Sequence, residues 1–229
     1  MFDLERLPET IPVFPLTGAL LLPKGHLPLN IFEPRYLDMV YYAREKNGLI
    51  GMIQPSISPF DVQEGDDQRG TAPRNRPLYS TGCVGMISEL IERDDGGMSV
   101  LLTGLSRYDV IGEVLPRQQT FRQLRVRYDR FDEDCGLPLY SETFDRETLL
   151  DMAAAYLELY EVSPKWDVLE KTCDEELVNA LAMVCPFDPA EKQALLEAVP
   201  LTDRVDLMQK LMGFALTSGQ AGQMDKFVQ

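Results

Sequence analysis

The 229-residue chain is 45% hydrophobic and 26% charged, which suits one or two globular domains with a substantial buried core. Its formal net charge is −15 and is unevenly spread: residues 1–130 hold 15 basic and 17 acidic side chains, whereas residues 131–229 hold 7 and 20. That balance disfavours polyanionic partners, nucleic acid and anionic lipid alike, and favours solubility and basic partners.

In chain order, residues 11–39 come first, with apolar bursts cut by Pro12, Pro15, Pro23 and Pro28 and by Gly18 and Gly25. Proline removes a backbone donor, so this spacing predicts short, bent, buried strands. Pro34 suits a first helical turn, and Leu37, Val40 and Tyr41 give helical spacing up to a stop at Asn47-Gly48. Leu49 to Ile53 is a short strand. Residues 55–77, with four prolines and two glycines, read as a long mobile loop. The runs from Cys83 to Ile91 and from Met98 to Thr103 flank Asp94-Asp95-Gly96-Gly97, a hairpin signal. Further strands are expected from Arg107 to Val114 and over residues 121–131, where Leu124, Val126 and Tyr128 alternate with Arg125, Arg127 and Asp129.

The period then changes. Four amphipathic helices are expected, with starts at Asp145, at Thr172 paired with Glu175, at Asp188-Pro189-Ala190-Glu191 and at Thr202. The third is expected to bury Leu195, Leu196 and Val199. The fold class is therefore α+β. A β-rich lobe over residues 1–131 precedes an acidic bundle of about four helices over residues 132–229.

Several chemistries are missing. None of the 16 glycines precedes a lysine and there is no GxGxxG, so no nucleotide cofactor is expected. The cysteine spacings of 52, 38 and 12 give no zinc pair. Cys173 and Cys185, on one predicted helix, would lie about 18 Å apart, beyond disulfide reach. Buried thiols in a reducing cytoplasm are the expectation. The acidic clusters at residues 132–134 and 174–176 lack EF-hand spacing and read as a solvated boundary loop and a helix first turn. His26 is the single histidine and reads as a loop residue. The arginines 117, 122, 125, 127 and 130 suit cross-strand ion pairs better than RNA contact. The uncharged run at residues 10–23 is too short and proline-rich to cross a membrane, and Asp3, Glu5 and Glu9 stand where a secretory signal needs basic residues.

Several blocks together resemble the N-terminal substrate-binding domain of the Lon protease family. They are Ile11-Pro-Val-Phe-Pro-Leu16, Leu22-Pro23, Leu29-Asn-Ile-Phe-Glu-Pro-Arg-Tyr36, Gly82-Cys-Val-Gly85, Leu102-Thr-Gly-Leu-Ser-Arg-Tyr108 and Phe187-Asp-Pro-Ala-Glu-Lys-Gln193 with Leu195-Leu-Glu197. The resemblance covers roughly residues 8–216 and implies a PUA-like barrel lobe joined to a helical bundle. Full Lon proteases append an AAA+ ATPase and a protease domain with a Ser–Lys dyad. This sequence contains neither the nucleotide loop nor the Gly-Pro-Ser-Ala-Gly segment. The resemblance thus implies a stand-alone, non-enzymatic cytoplasmic module for protein quality control.

Its expected ligands are unfolded or extended polypeptides, taken between the two halves or on an open strand edge. A full-length Lon protease is a further candidate partner. Phe32, Glu33, Arg35, Tyr36, Arg107 and Tyr108 are the candidate contacts, while Gly82, Gly85 and Gly104 suit close backbone approach. Met208 and Met212 suit either core filling or adaptable apolar contact. The alternatives are a PUA-like RNA-binding protein and a small hydrolase using His26 or Cys83.

Overall fold

In a computed structural model the described residues are 7–56, 76–114, 119–137 and 144–224, with side chains to residue 218. Residues 57–75 of the expected loop, and Arg117, lie outside them. The chain divides into two compact units, Met1–Leu137 and Pro138–Gln229.

The first unit carries one six-stranded sheet: β1 (Thr10–Pro15), β2 (His26–Ile31), β3 (Leu49–Ile53), β4 (Thr81–Glu92), β5 (Met98–Val114) and β6 (Arg122–Arg127). The spatial order is β2-β5-β4-β3-β1-β6, and β6 pairs with β5 as well. Among the described residues only β1 and β3 run parallel; the other pairings are antiparallel. The sheet therefore curls back on itself, while β2 stands outside the ring of pairings as an edge. The α+β class holds, with a curled sheet rather than a fully closed barrel.

Two expected strands prove to be one. β5 runs unbroken for 17 residues through Gly104. A strap at residues 20–22 crosses there so tightly that a Cβ on Gly104 would collide with the Leu22 carbonyl. The β4–β5 hairpin turns at Gly96, where φ is +81°. On β6, Leu124, Val126 and the following Tyr128 are buried, whereas Arg125 and Arg127 are exposed. Arg122 pairs with Glu113 at 2.8 Å across β5–β6, and Arg130 pairs with Asp109 at 2.9 Å.

Helix α1 (Pro34–Glu45) has Pro34 at its first position and buries Tyr36, Met39, Val40 and Ala43. Tyr41, expected on that face, is exposed. A 3-10 turn, Asp129–Cys135, follows β6. Asp134, part of the acidic run that reads as a solvated loop, is instead buried. Its carboxylate accepts Arg107 Nη2 at 2.7 Å, Nε at 2.9 Å and the Arg107 backbone N–H at 2.8 Å. A carboxylate paired in this bidentate way also ties the turn to β5.

The second unit is helical: α2 (Arg146–Leu159), α3 (Trp166–Leu169), α4 (Asp174–Val184), α5 (Pro189–Glu197) and α6 (Leu201–Met224). Asp145 caps α2 by accepting from the Glu147 and Thr148 amides, and Asp188 with Glu191 forms the capping box of α5. Two expected caps move. Cys173, not Thr172, caps α4, because the Thr172 hydroxyl donates to the Leu169 carbonyl instead. α6 begins at Leu201, so Thr202 lies inside its first turn. The single turn α3 was not expected. Val199 falls beyond α5 and is 38% exposed, whereas Met208 and Met212 are fully buried and fill the core.

All four cysteines are described and none forms a disulfide. Burial pushes the Cys185 thiol from 9.0 up to about 12. The folded state keeps this thiol neutral over a range where the unfolded chain releases its proton, so the linked stability is lost as pH rises above about 9. The urea stability of the second unit, followed by fluorescence of its Trp166, should hold to about pH 8.5 and then fall. Cys185→Ala should flatten that fall by about 1 kcal/mol per pH unit. An unchanged slope in the variant would remove Cys185 as the cause.

Candidate functional site

The chain leaves β2 at Ile31 and turns through Phe32 and Glu33 into α1. Glu33 is the helix N-cap, and its carbonyl accepts the Tyr36 and Leu37 amides at 2.9 and 3.0 Å. This turn forms one end of a groove of about 200 Å³. Phe14 and Leu16 line it from the end of β1, residues 28–31 line it from β2, and Phe32, Glu33 and Tyr36 complete it. Small-molecule sites hold roughly 300–1,000 Å³, so the size suits an amino-acid side chain rather than a nucleotide.

The wall is mostly apolar. The Phe14 and Tyr36 rings meet at 4.3 Å between centroids, tilted by 48°. The Arg35 guanidinium lies 4.5 Å from the Tyr36 ring centre and pairs with Glu33 Oε2 at 2.9 Å. Glu33 Oε1 is buried and has no hydrogen-bond partner among the described residues. Burial pushes the Tyr36 hydroxyl from 10.0 up to about 12, with Arg35 opposing the shift and Glu33 adding to it. Phe32 stands at the rim, 54% exposed.

Four of the six expected contact residues, Phe32, Glu33, Arg35 and Tyr36, thus gather at one place. Arg107 and Tyr108 do not join them. Arg107 is 4% exposed and bound to Asp134. Tyr108 is fully buried and donates its hydroxyl to the Met52 carbonyl at 3.1 Å. Their side chains serve the interior of the lobe, which corrects the expectation of a contact role. The lining residues that sequence reasoning missed are Phe14 and Leu16 and the β2 residues Pro28, Leu29, Asn30 and Ile31. Their one sequence signal was Pro28 inside a strand, since mid-strand proline marks an edge.

β2 is that edge. It pairs with β5 on one side, and among the described residues no strand pairs with the other. His26 opens β2, exposed, with Nδ1 3.1 Å from the Thr103 hydroxyl. Cys83 is fully buried in β4.

Comparison with known proteins gives this geometry its context. The profile of the ATP-dependent protease La (Lon) substrate-binding domain matches residues 10–213. The chain belongs to the Lon substrate-binding domain family. Lon protease 2 of Myxococcus xanthus is 25% identical over 93% of the chain and 24% of its own length. Lon protease of Parabacteroides distasonis is 30% identical over 47% of the chain and 12% of its own length. The chain thus spans about a quarter or less of these curated relatives.

Among solved structures, a Lon N-terminal domain protein from Xanthomonas campestris superposes with a TM-score of 0.54 at 18% identity, covering 86% of this chain and 95% of that one. The N-terminal domain of Lon protease from the Mycobacterium avium complex gives 0.53 at 16% identity, covering 89% and 98%. At such identities these two establish the shared Lon N-domain fold. Among the described residues no helix is long and apolar enough to cross a membrane.

Proposed function

We propose that this Lon N-domain-like chain is a non-catalytic module that captures extended polypeptide segments through their apolar side chains, in the service of protein quality control. The observation that carries the reading is the groove beside β2, with buried Phe14 and Tyr36 in its wall and exposed Phe32 at its rim. A half-exposed aromatic beside an apolar concavity is the arrangement of a binding hot spot. Membership of a substrate-binding family supports the same activity. Binding rather than catalysis is also supported by the buried state of Cys83, which shields the thiol of one candidate nucleophile.

A fluorescent, carboxymethylated and permanently unfolded protein should bind saturably in an anisotropy titration. Phe32→Asp should weaken that binding at least about tenfold while leaving the thermal midpoint unchanged, since an exposed rim residue contributes little to the core. Absence of saturable binding, or equal binding by the variant, would sink the reading.

A further inference from the structure

Resting on the reading above, we propose that the captured segment is held by its main chain, adding as a strand to the outer edge of β2 in a register marked by Pro28, and that basic residues flank it. The Gly104 amide donates to the Gly25 carbonyl at 2.9 Å, and from there His26 to Ile31 pair with Thr103 to Met98. Backbone groups alternate sides along an antiparallel ladder. Leu27, Leu29 and Ile31 therefore bond to β5, and His26, Pro28 and Asn30 turn their backbone groups outward. Pro28 thus lacks its donor on the outer side, where β5 loses nothing. The outer edge offers carbonyls at all three residues and N–H groups at His26 and Asn30.

Such a row is a template for strand addition, in which main-chain bonds supply affinity and alternate side chains supply selectivity. Pro28 deters permanent pairing, as prolines on edge strands do, yet leaves a two-sided contact at His26 and at Asn30. The groove runs along the same residues and is lined by Pro28, Leu29, Asn30 and Ile31. A strand lying there directs every second side chain toward it, and about 200 Å³ suits one large apolar side chain. Glu33 lines the end of this groove, and its buried Oε1 has no hydrogen-bond partner among the described residues, so a basic flank is complementary there and an acidic one repulsive.

The test uses the full chain and a fluorescein-labelled peptide of alternating phenylalanine and threonine with lysines at both ends. Two versions carry backbone N-methyl groups, one at every phenylalanine and one at every threonine. N–H groups of alternate residues point to opposite edges of a strand, so strand addition predicts an asymmetric outcome. One version should lose binding roughly 100-fold, equivalent to two or three main-chain bonds, and the other should stay within about threefold.

If both versions bind like the parent while Phe32→Asp abolishes binding, the groove is retained and strand addition is overturned. Equal loss in both versions overturns it too. Failure of the unmodified peptide to bind removes this proposal together with the reading beneath it. A glutamate-flanked peptide binding as well as the lysine-flanked one overturns the charge preference. A second copy of the chain is the competing occupant of the edge. Sedimentation showing a dimer that excess peptide does not dissociate would assign β2 to that copy and overturn the proposal.

Discussion

Asp134→Ala is expected to destabilise the first unit by about 3–5 kcal/mol, because it strands the buried Arg107 guanidinium without its counter-charge. Both side chains of the pair are 5% exposed, and Asp134 accepts three hydrogen bonds from Arg107 alone. Water cannot replace them without opening the turn Asp129–Cys135. Arg107 also lies 4.6 Å from the centre of the Phe131 ring, so the loss extends to the packing of that turn. Asp134→Asn keeps the shape but lacks the charge, and should recover only part of the loss. Replacing both partners by apolar residues, Arg107→Met with Asp134→Leu, should be milder than Asp134→Ala, since no buried charge is left behind. Urea unfolding followed by hydrogen exchange of the β5 amides measures all three. A loss under about 1 kcal/mol for Asp134→Ala would show that the pair is not a determinant of stability.

Arg204→Met should cost the second unit about 2–4 kcal/mol. Arg204 is 3% exposed on α6, and its guanidinium donates to the Leu195 and Ala198 carbonyls at 3.0 and 2.9 Å and to Asn179 Oδ1 at 2.6 Å. Helices end with carbonyls that have no partner within the helix. Arg204 supplies donors to the end of α5 and at the same time ties it to α4 and α6. Its positive charge also opposes the negative end of the α5 dipole. Arg204→Lys should recover little, because an ammonium lacks the planar fork that reaches three separated acceptors. Trp166, the chain's single tryptophan, lies in this unit and reports its unfolding by fluorescence. Full recovery by lysine would reduce the role of Arg204 to its charge.

Features set by near neighbours in the chain were the legible ones. The turn at Gly96, the caps at Asp145 and Asp188 and the alternation of Leu124, Val126 and Tyr128 each depend on residues a few positions apart. So did the gathering of Phe32, Glu33, Arg35 and Tyr36, which occupy a single turn. What escaped depends on distant partners. Asp134 looked like part of a solvated acidic loop because Arg107 sits 27 positions away. Phe14 and Leu16 reach the groove only because β1 pairs with β3 and β6 and ends beside α1. The unbroken β5 joins two expected strands across residues 104–106, where the apolar pattern breaks; the close approach expected at Gly104 is that of the Leu22 backbone, a partner that local sequence cannot name.

The pairing of β1 with β6, Thr10 opposite Arg125, has a consequence for how the protein is made. A chain emerging from the ribosome exposes β1 long before its second partner has been synthesised. Helices of the second unit can form from local contacts as soon as they appear, but the lobe must wait for residue 127. Pairings between such distant segments make folding slow, and unpaired apolar strands invite association in the interval. The protein that is proposed to capture extended apolar segments therefore passes through a stage in which its own β1 is such a segment.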